Sequence, residues 1–429
     1  MQNYKYPNNS TWNQLSERPV LKKNTLNEIV EGILYEVKTS KDKALINLTK
    51  RFDGIAIDSL QVSPSDILNA TNLVSDELKT AIQLAKTNIE TFHKSQQEPE
   101  TKIETSEGVN CWRKNIGIEK VGLYIPGGSA PLFSTILMLG IPAKIAGCKE
   151  VVLCTPPEKN GTVNPAILYT ANLIGITKIY TVGGAQAIAA MAFGTETIPQ
   201  VYKIFGPGNQ FVTKAKELVQ QSGIAIDMPA GPSEVLIIAD ETGNPEFIAA
   251  DLLSQAEHGA DSQVILLSND EIILTQTQVE LEKQIKAMPR KSIAEKALEN
   301  SRSILLKTID SCFEFSNTYA PEHLILASEN ADQYINLITN AGSVFIGNYS
   351  CESAGDYASG TNHTLPTNGY AKNYSGVSLD SFVKKITFQK LTQKGICNIG
   401  PSIEIMADAE ALWAHKNAVT LRLNSIQNV

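Results

Sequence analysis

From residue 121 onward the chain alternates short β-rich runs with helical segments, and this alternation constrains the fold more than any other feature. Five runs, VGLYIP, VVLCTP, KIYTV, VYKIF and IAIDM, alternate with helical segments at about 131–147, 164–175, 184–193 and 209–222. A β–α–β alternation predicts a parallel sheet that is covered by helices on both faces. We therefore expect residues 121–232 to form one such lobe.

A second set of the same kind follows, with the runs EVLIIAD, QVILLS, SILLK, HLILAS and SVFIG and helices between them. The segment MPAGPSE (228–234) separates the two sets, and its Pro and Gly content indicates a crossing between lobes. Residues 22–95 carry apolar residues at three- and four-residue spacing, and a helix from about 404 to 422 is expected to end the chain. The sequence predicts an α/β fold of two Rossmann-like lobes with parallel sheets, plus helical N- and C-terminal extensions.

Composition excludes several classes of function. The net charge of -8 argues against non-specific binding to nucleic acid or to an anionic membrane. The most apolar long stretch, APLFSTILMLGIPAKIAG, contains Pro142 and Lys144 and falls short of the ~20 apolar residues that a transmembrane helix needs. The polar N-terminus has no apolar core of a secretory signal, and the six cysteines are scattered without a CxxC pair. We expect a cytoplasmic protein with reduced thiols.

Three glycine loops each follow a predicted strand and precede a predicted helix: YIPGGSAP (124–131), TVGGAQA (181–187) and IFGPGNQF (204–211). Glycine permits close approach of a backbone, and the N-terminus of a helix presents free N–H groups that suit phosphate. None of the loops matches the GxGxxG dinucleotide fingerprint. They are compatible with a nucleotide cleft and also with ordinary turns of an α/β sheet.

Four of the five histidines lie in dense polar clusters. In SQAEHGADSQ (254–263), Gln255 and His258 are three residues apart and would share one face of a helix, whereas Glu257 would point away. Gly259 is expected to end that helix. The pair could supply two metal ligands, but a plain helix end with a histidine near its negative dipole explains the segment equally well.

The second cluster, YAPEHLILAS (319–328), places Glu322 and His323 directly after Pro321 at the start of a predicted strand. Glutamate and histidine together suit general acid–base catalysis near neutral pH. Adjacent residues of an extended chain point to opposite faces, so both can serve one site only if the backbone turns there. The alternative is a strand that begins with two exposed polar residues.

The third cluster, SCESAGDYASGTNHTLPT (350–367), is rich in small residues and follows the SVFIG strand, whose carboxyl end is a usual place for ligands in α/β folds. Asp356 is a candidate oxygen ligand, and His363 is a candidate substrate contact or base. The fourth, ALWAHKNAVTLR (411–422), holds His415 on a predicted helix. A lone histidine on a helix is more often a surface or packing residue than a ligand.

Together these segments resemble the histidinol dehydrogenases. The resemblance rests on SQAEHGADSQ, YAPEHL, SAGDYASGTNHTLPT and AHKNAVTLR, together with VGLYIPGG, PAKIAGC, GGAQAIAA, IFGPGNQFVTKAK and DMPAGPSE. It covers roughly residues 20 to 422, and the segments follow one another along the chain in the same order as in the family. It implies a homodimeric zinc enzyme that oxidises L-histidinol to L-histidine through an aldehyde, using two NAD+ in sequence. It also implies that the C-terminal tail reaches the active site of the partner subunit.

The resemblance assigns roles to individual residues. The implied zinc ligands are Gln255, His258, Asp356 and His415, and the implied acid–base pair is Glu322 and His323. These six would also contact substrate, together with Ser233, His363 and Glu410. The implied NAD contacts are Tyr124, Gln186 and Asn209. The matching grouping is an extension over 1–20, a substrate and zinc lobe over 21–120 and 233–378, an NAD lobe over 121–232, and a helical tail over 379–429.

Three rival functions remain to be weighed. A cysteine thiohemiacetal, as in aldehyde dehydrogenases, would need a reactive thiol, for which Cys148 and Cys154 flank a predicted buried strand. They are more simply small core residues. A zinc hydrolase with Glu322 as base lacks the HExxH motif and leaves the glycine loops unexplained. A non-enzymatic nucleotide-binding scaffold gives no reason for the histidines to lie in polar clusters.

Overall fold

The computed structural model describes residues 1–19, 23–127, 131–229 and 231–427. Four short segments lie outside this range: residues 20–22, which include the last residue of the predicted N-terminal extension, residues 128–130 of the first glycine loop, residue 230 of the predicted crossing, and residues 428–429 of the tail.

The N-terminal part is mainly helical and ends in two strands. Its elements are β1 (Gln2–Lys5), α1 (Trp12–Leu15), α2 (Lys23–Asp53), α3 (Pro64–Leu73), α4 (Asp76–Lys94), β2 (Lys102–Ser106) and β3 (Val109–Gly117). Ser63 and Ser75 cap α3 and α4 by accepting backbone N–H bonds. The helix α2 is kinked at Lys41, whose φ is 51°. The helical prediction for residues 22–95 is confirmed.

The first parallel sheet forms where the first set of β-rich runs was predicted. Its elements are β4 (Lys120–Tyr124), α5 (Phe133–Ile145), β5 (Glu150–Thr155), α6 (Pro165–Leu173), β6 (Lys178–Thr181), α7 (Gly184–Phe193), β7 (Lys203–Phe205), α8 (Gln210–Gln220) and β8 (Ala225–Ile226). The strand order is β6-β5-β4-β7-β8, and every pair is parallel. The chain therefore changes winding direction between β4 and β7, which is a topological switch point.

The second parallel sheet repeats this plan. Its elements are β9 (Glu234–Ala239), α9 (Pro245–Ala256), β10 (Gln263–Ser268), α10 (Glu271–Gln284), α11 (Lys291–Glu299), β11 (Arg302–Leu305), α12 (Ile309–Tyr319), β12 (His323–Ala327), β13 (Ser343–Ile346) and α13 (Glu352–Tyr357). The order is β1-β11-β10-β9-β12-β13, again with parallel pairs only. The polar strand β1, which the sequence pattern did not predict, extends the sheet beside β11.

Helices cover both faces of both sheets, as the alternation predicted. In the first sheet, α2, α7 and α8 enclose one apolar core, and α3 to α6 enclose the other. In the second, α9 to α11 pack on one face and α1 and α12 on the other. The apolar helix α5 is buried along almost its whole length. None of the described helices combines the length and apolar character that crossing a membrane would require.

The packing of residues 23–94 differs from the grouping expected from sequence. The resemblance groups residues 21–120 with the second sheet, whereas α2 packs against α7 and α8, α3 against α6, and α4 against α5. The reason is that the buried faces of these helices, with Val37, Leu45 and Ile89 among them, complete the cores of the first sheet. Sequence order alone does not determine which sheet a helix covers.

The C-terminal tail also differs from expectation. It is not wholly helical, because β14 (Val383–Leu391) pairs antiparallel with β3 in a small sheet of order β14-β3-β2. The prediction of one helix over 404–422 is wrong. Instead α14 (Gln393–Ala409) and α15 (Trp413–Gln427) are separated by Ala411, whose positive φ of 57° ends the first helix and lets the second fold back on it.

A buried ion pair secures the third glycine loop at the end of β7. Lys216 on α8 pairs with Asp227, and both side chains are almost fully buried. Lys216 Nζ donates to Gly206 O at 2.9 Å, while Asp227 Oδ2 accepts from Gly206 N at 2.8 Å. Gly206 has a φ of 131°, and a Cβ there would lie 2.1 Å from Tyr124 O. The loop therefore requires glycine at 206 and a charged pair beneath it.

Replacing Lys216 with Met is expected to lower the free energy of unfolding by about 3–5 kcal/mol, because it leaves the buried Asp227 carboxylate uncompensated. The matched control is Lys86→Met, at a helix-surface pair with Glu90, where a loss of about 0.5 kcal/mol is expected. Urea unfolding followed by circular dichroism measures both. Equal stability of the two variants would contradict the prediction.

Candidate active site

Glu322 and His323 lie side by side at the amino end of β12, although neighbouring residues of an extended chain would diverge. The backbone turns just before them, because Ala320 has a left-handed φ of 55° and Pro321 follows. Glu322 Oε2 lies 3.6 Å from His323 Nδ1, and both side chains are buried. From the sequence, both residues could serve one site only if the backbone turned there, and the structure has this turn.

The backbone N–H and carbonyl groups of Glu234, at the amino end of β9, contact the two side chains. The N–H donates to Glu322 Oε2 at 2.8 Å. The carbonyl oxygen lies 3.0 Å from His323 Nδ1. A carbonyl only accepts, so Nδ1 must carry the proton of the neutral ring, which leaves a lone pair on Nε2. His323 Nε2 is buried and has no hydrogen-bond partner within the described part of the chain.

Gln255 lies beside this pair near the end of α9 and is almost fully buried. Its Nε2 donates to Glu322 Oε2 at 3.3 Å. Nε2 is also 3.3 Å from His323 Nδ1, which is a contact between two donors, since the Nδ1 proton goes to Glu234. The amide oxygen Oε1 is buried without a partner among the described residues. An unpartnered buried oxygen is costly unless a ligand contacts it.

A group of possible metal ligands adjoins Gln255. One nitrogen of His258 and one carboxylate oxygen each of Glu352 and Asp356 lie within 4.8 Å of one another. The helix α9 ends at Ala256, before the Gly259 stop that the sequence suggested, so His258 follows the helix in a turn rather than sharing its face. The prediction that Gln255 and His258 share one face of a helix is therefore wrong, because His258 lies beyond the last helical residue.

Glu352 was not singled out from the sequence. It lies four residues before Asp356 on α13, and this spacing puts both carboxylates on one face of a helix, which was the available signal. Glu352 is almost fully buried, its Oε1 is 4.0 Å from His323 Nδ1, and its Oε2 has no partner within the described ranges. The sequence predicts segment 350–367 at the carboxyl edge of the sheet. Instead, Glu352 of α13 lies near His323, at the amino edge.

Burial dominates the electrostatics of this cluster. Burial raises the pKa of Glu322 and of Glu352 well above the usual range of a carboxyl group, and the nearby Asp356 charge adds to both shifts. Burial lowers the pKa of His323 and of His363, and Asp356 partly offsets the effect. A divalent cation among these carboxylates would favour their ionised forms.

His363 connects the two sheets at the site. Its Nδ1 donates to Asp356 O at 3.0 Å, and its Nε2 accepts from Thr135 Oγ1 at 3.0 Å. Thr135 lies in the first turn of α5, which follows the carboxyl end of β4. Ser233 is half-buried directly before Glu234. The carboxyl edge of the first sheet thus adjoins the amino edge of the second.

Glu410 and His415 are not brought to this cluster within one chain. Both side chains are exposed, with Glu410 at the end of α14 and His415 in α15. The two helices pack against each other, and α14 also contacts β2 and β14. The metal-ligand group described above does not include His415. Large apolar side chains around them are exposed as well, namely Ile405, Met406, Leu412, Trp413 and Leu421.

Tyr124, Gln186 and Asn209 all lie at the carboxyl edge of the first sheet. The Tyr124 hydroxyl accepts from Gly184 N at 3.1 Å, and burial raises its pKa to about 12. Gln186 is buried on α7 beside Gly184. Asn209 caps α8, because its Oδ1 accepts hydrogen bonds from the backbone N–H groups of Phe211 and Val212. These positions flank the switch point between β4 and β7.

Neither cysteine of the thiohemiacetal rival has the properties of a nucleophile. Cys154 lies within β5 and is fully buried. Burial raises the pKa of its thiol far above the usual range and that of Cys148 to about 11. The Cys148 thiol contacts Phe382 O at 3.8 Å. A raised pKa removes the reactive thiolate, so both are structural residues.

Comparison with known proteins decides the family. Residues 16–423 match the family model described as "Histidinol dehydrogenase". The chain belongs to the histidinol dehydrogenase family. It is a dehydrogenase of histidine biosynthesis. A curated histidinol dehydrogenase from Bacteroides thetaiotaomicron is 58% identical over 423 residues, which cover 99% of each chain.

Solved structures agree. The crystal structure of histidinol dehydrogenase from Elizabethkingia anophelis matches with a TM-score of 0.97 and 65% identity, covering 100% of this chain and 99% of that one. An acetylating aldehyde dehydrogenase from Geobacillus thermoglucosidasius matches with a TM-score of 0.50 at 14% identity, covering 88% of this chain and 93% of that one. At that identity the likeness concerns the fold alone.

In the metal-free protein, His323 is expected to be protonated at Nδ1 and unprotonated at Nε2, because Nδ1 faces the Glu234 carbonyl. Long-range ¹H–¹⁵N correlation spectra of protein labelled with ¹⁵N-histidine distinguish the tautomers. The chain has five histidines, and a His323→Gln variant assigns the signal. Observation of the Nε2-protonated form would contradict the proposed geometry.

Proposed function

We propose that this enzyme oxidises L-histidinol to L-histidine through L-histidinaldehyde, with two successive hydride transfers to NAD+ and with bound zinc. The observation that carries the proposal is the meeting of two half-sites. The buried Glu322–His323 pair and a metal-ligand group occupy the amino edge of one sheet, and glycine-rich helix starts occupy the adjoining carboxyl edge of the other.

The residues present fit a zinc ion. Gln255 Oε1 is a buried oxygen without a partner in the described chain, and His258 and Asp356 supply the nitrogen and carboxylate that zinc accepts. We assign these three as ligands, with His415 of a second copy as the fourth. Bound zinc would supply a positively charged anchor for the imidazole and amine of histidinol. Glu352 adds a carboxylate beside the ligands, and Ser233, His363 and Glu410 complete the substrate contacts.

In the first step, His323 acts as the base. Nε2 holds the lone pair, since Nδ1 donates to Glu234 O. Nε2 takes the hydroxyl proton of the alcohol while the adjacent carbon loses hydride to nicotinamide, which gives the aldehyde and one NADH. The Glu234 carbonyl keeps the ring oriented and stabilises the imidazolium that forms.

In the second step, Glu322 activates water. Both of its hydrogen bonds described here use Oε2, so Oε1 can take a proton from a water molecule. The hydroxyl group of this water adds to the aldehyde carbon, and the proton on Glu322 passes to the aldehyde oxygen, which gives the hydrated aldehyde. A second hydride then leaves for NAD+ while His323, having released its first proton, takes the hydroxyl proton. The products are the carboxylic acid of histidine and a second NADH.

NAD+ is assigned to the carboxyl edge of the first sheet, with Tyr124, Gln186 and Asn209 as its contacts. The assignment is supported by the switch point between β4 and β7, where doubly wound sheets bind ligands. It is also supported by the Thr135–His363 bond, which joins this edge to the substrate half. A nicotinamide at that edge would lie near the alcohol carbon.

We further propose a homodimer whose C-terminal tails are exchanged, so that Glu410 and His415 complete the partner's site. Support comes from the five large apolar side chains that are exposed on or between α14 and α15, since exposed apolar surface of this kind is typical of interfaces. We place the enzyme in the cytoplasm, because its cysteines are free thiols, as is usual in a reducing compartment.

The function is tested by incubating zinc-loaded protein with NAD+ and L-histidinol. Two NADH per L-histidine are expected, because an alcohol reaches the acid by two hydride transfers. Absorbance at the NADH band and chromatography of the amino acid measure both products. NADH without histidine, or no NADH from a zinc-loaded dimer, would overturn the proposal.

Tail exchange is tested by mixing subunits. In a mixed dimer of His415→Asn and His323→Ala chains, one site is intact, so random mixing should restore about a quarter of wild-type activity. The matched control mixes Asp356→Asn with His323→Ala chains, where both sites stay broken. If each site is built within one chain, neither mixture exceeds its parents.

A further inference from the structure

The acid–base pair owes its orientation to Glu234, and Glu234 is itself held from outside the sheet. Its side chain is almost fully buried. Arg18 Nε donates to Oε1 and Arg18 Nη2 to Oε2, both at 2.9 Å. Asn368 N donates to Oε1 at 2.8 Å. A two-point bond between the planar guanidinium and the carboxylate restricts rotation of Glu234 more than a single bond would.

Arg18 also contacts the backbone segment that leads into Glu322 and His323. Its Nη2 donates to Tyr319 O at 2.8 Å, and the guanidinium stacks on the Tyr319 ring at 3.7 Å from the centroid. Tyr319 ends α12, and Ala320 and Pro321 lead from it into Glu322. The left-handed conformation of Ala320 is unfavourable for a residue with a Cβ and persists because its surroundings hold it.

The segment that carries Arg18 is itself anchored. Trp12 and Leu15 of α1 are buried against α12, with the Trp12 and Phe315 rings 5.6 Å apart, and β1 pairs with β11. The guanidinium is therefore fixed relative to the sheet. It contacts both backbone segments from which Glu322 and His323 receive their orientation, namely Glu234 and residues 319–320.

We propose that Arg18 is a positioning residue for the Glu322–His323 pair. It touches no reacting atom and acts through Glu234 and through the turn at Ala320. The inference rests on the acid–base roles proposed above. Reorienting a catalytic group by about 1 Å can cost on the order of 100-fold in rate, so loss of the two-point bond should affect turnover more than binding.

The test is Arg18→Lys, which keeps the charge but cannot form the two-point bond. We expect kcat to fall roughly 10- to 100-fold, with zinc content and the KM for NAD+ unchanged. The His323 Nδ1 proton signal should shift, because its distance to the Glu234 carbonyl changes. The control is Leu306→Ala, which removes a buried side chain from the same apolar core at a position outside the segment that carries Arg18. It lowers Tm but should leave kcat and the His323 signal at wild-type values.

A second variant, Glu234→Gln, covers the case that Arg18→Lys does not fold. It keeps Arg18 and the side-chain shape but weakens the bond, and a smaller fall in kcat with a shifted His323 signal is expected. His323→Ala is measured in parallel. If His323→Ala stays active, the proposed acid–base function fails. If His323→Ala is inactive while the folded Arg18 or Glu234 variant keeps wild-type kcat and signal, the positioning proposal alone is overturned. It is also overturned if Leu306→Ala loses as much kcat as Arg18→Lys.

Discussion

The candidate active site depends on the backbone of one residue, Glu234. Its N–H binds the Glu322 carboxylate and its carbonyl binds the His323 ring. The strand β9, which begins at Glu234, is held by parallel ladders to β10 on one side and β12 on the other. The Glu322–His323 pair is therefore attached to a strand that is hydrogen-bonded on both sides. A held pair of this kind suits the proposed reaction, in which the same two residues would serve two successive oxidations.

The two sheets share a strand order, apart from the additional β1, but their candidate site residues lie at opposite edges. The carboxyl edge of the first sheet carries the glycine loops, whereas the amino edge of the second carries the polar cluster, against the usual rule for doubly wound sheets. The path of the chain explains this. The first sheet ends with β8 at Ile226 and the second begins at Glu234, and residues 227–233 can span at most roughly 25 Å. Such a short crossing keeps the carboxyl end of β8 near the amino end of β9, so substrate and cofactor halves can meet.

Sequence patterns predicted the regular parts of the fold well, because burial of a parallel strand leaves a continuous apolar run and covering helices leave a periodic one. They did not predict β1, whose polar residues pair only at a sheet edge, or the break at Ala411, which depends on one left-handed residue. The site clusters were visible as polar segments, and family resemblance assigned their roles. Glu352 could have been found from its spacing to Asp356. The Arg18–Glu234 contact could not, since it joins residues far apart in sequence and acts through a backbone group that carries no sequence signal.

The position of Gln255 shows why an amide suits this cluster. The amide nitrogen of the side chain donates to Glu322 Oε2, and the amide oxygen is buried without a hydrogen-bond partner among the described residues. A carboxylate at 255 could accept but not donate, so it would lose the bond to Glu322. It would also place another negative charge in a buried cluster where Glu322 and Glu352 already have raised pKa values. An amide therefore keeps Glu322 oriented while adding no charge to the cluster, and its oxygen would remain available to the proposed cation. Neither aspartate nor glutamate can do both.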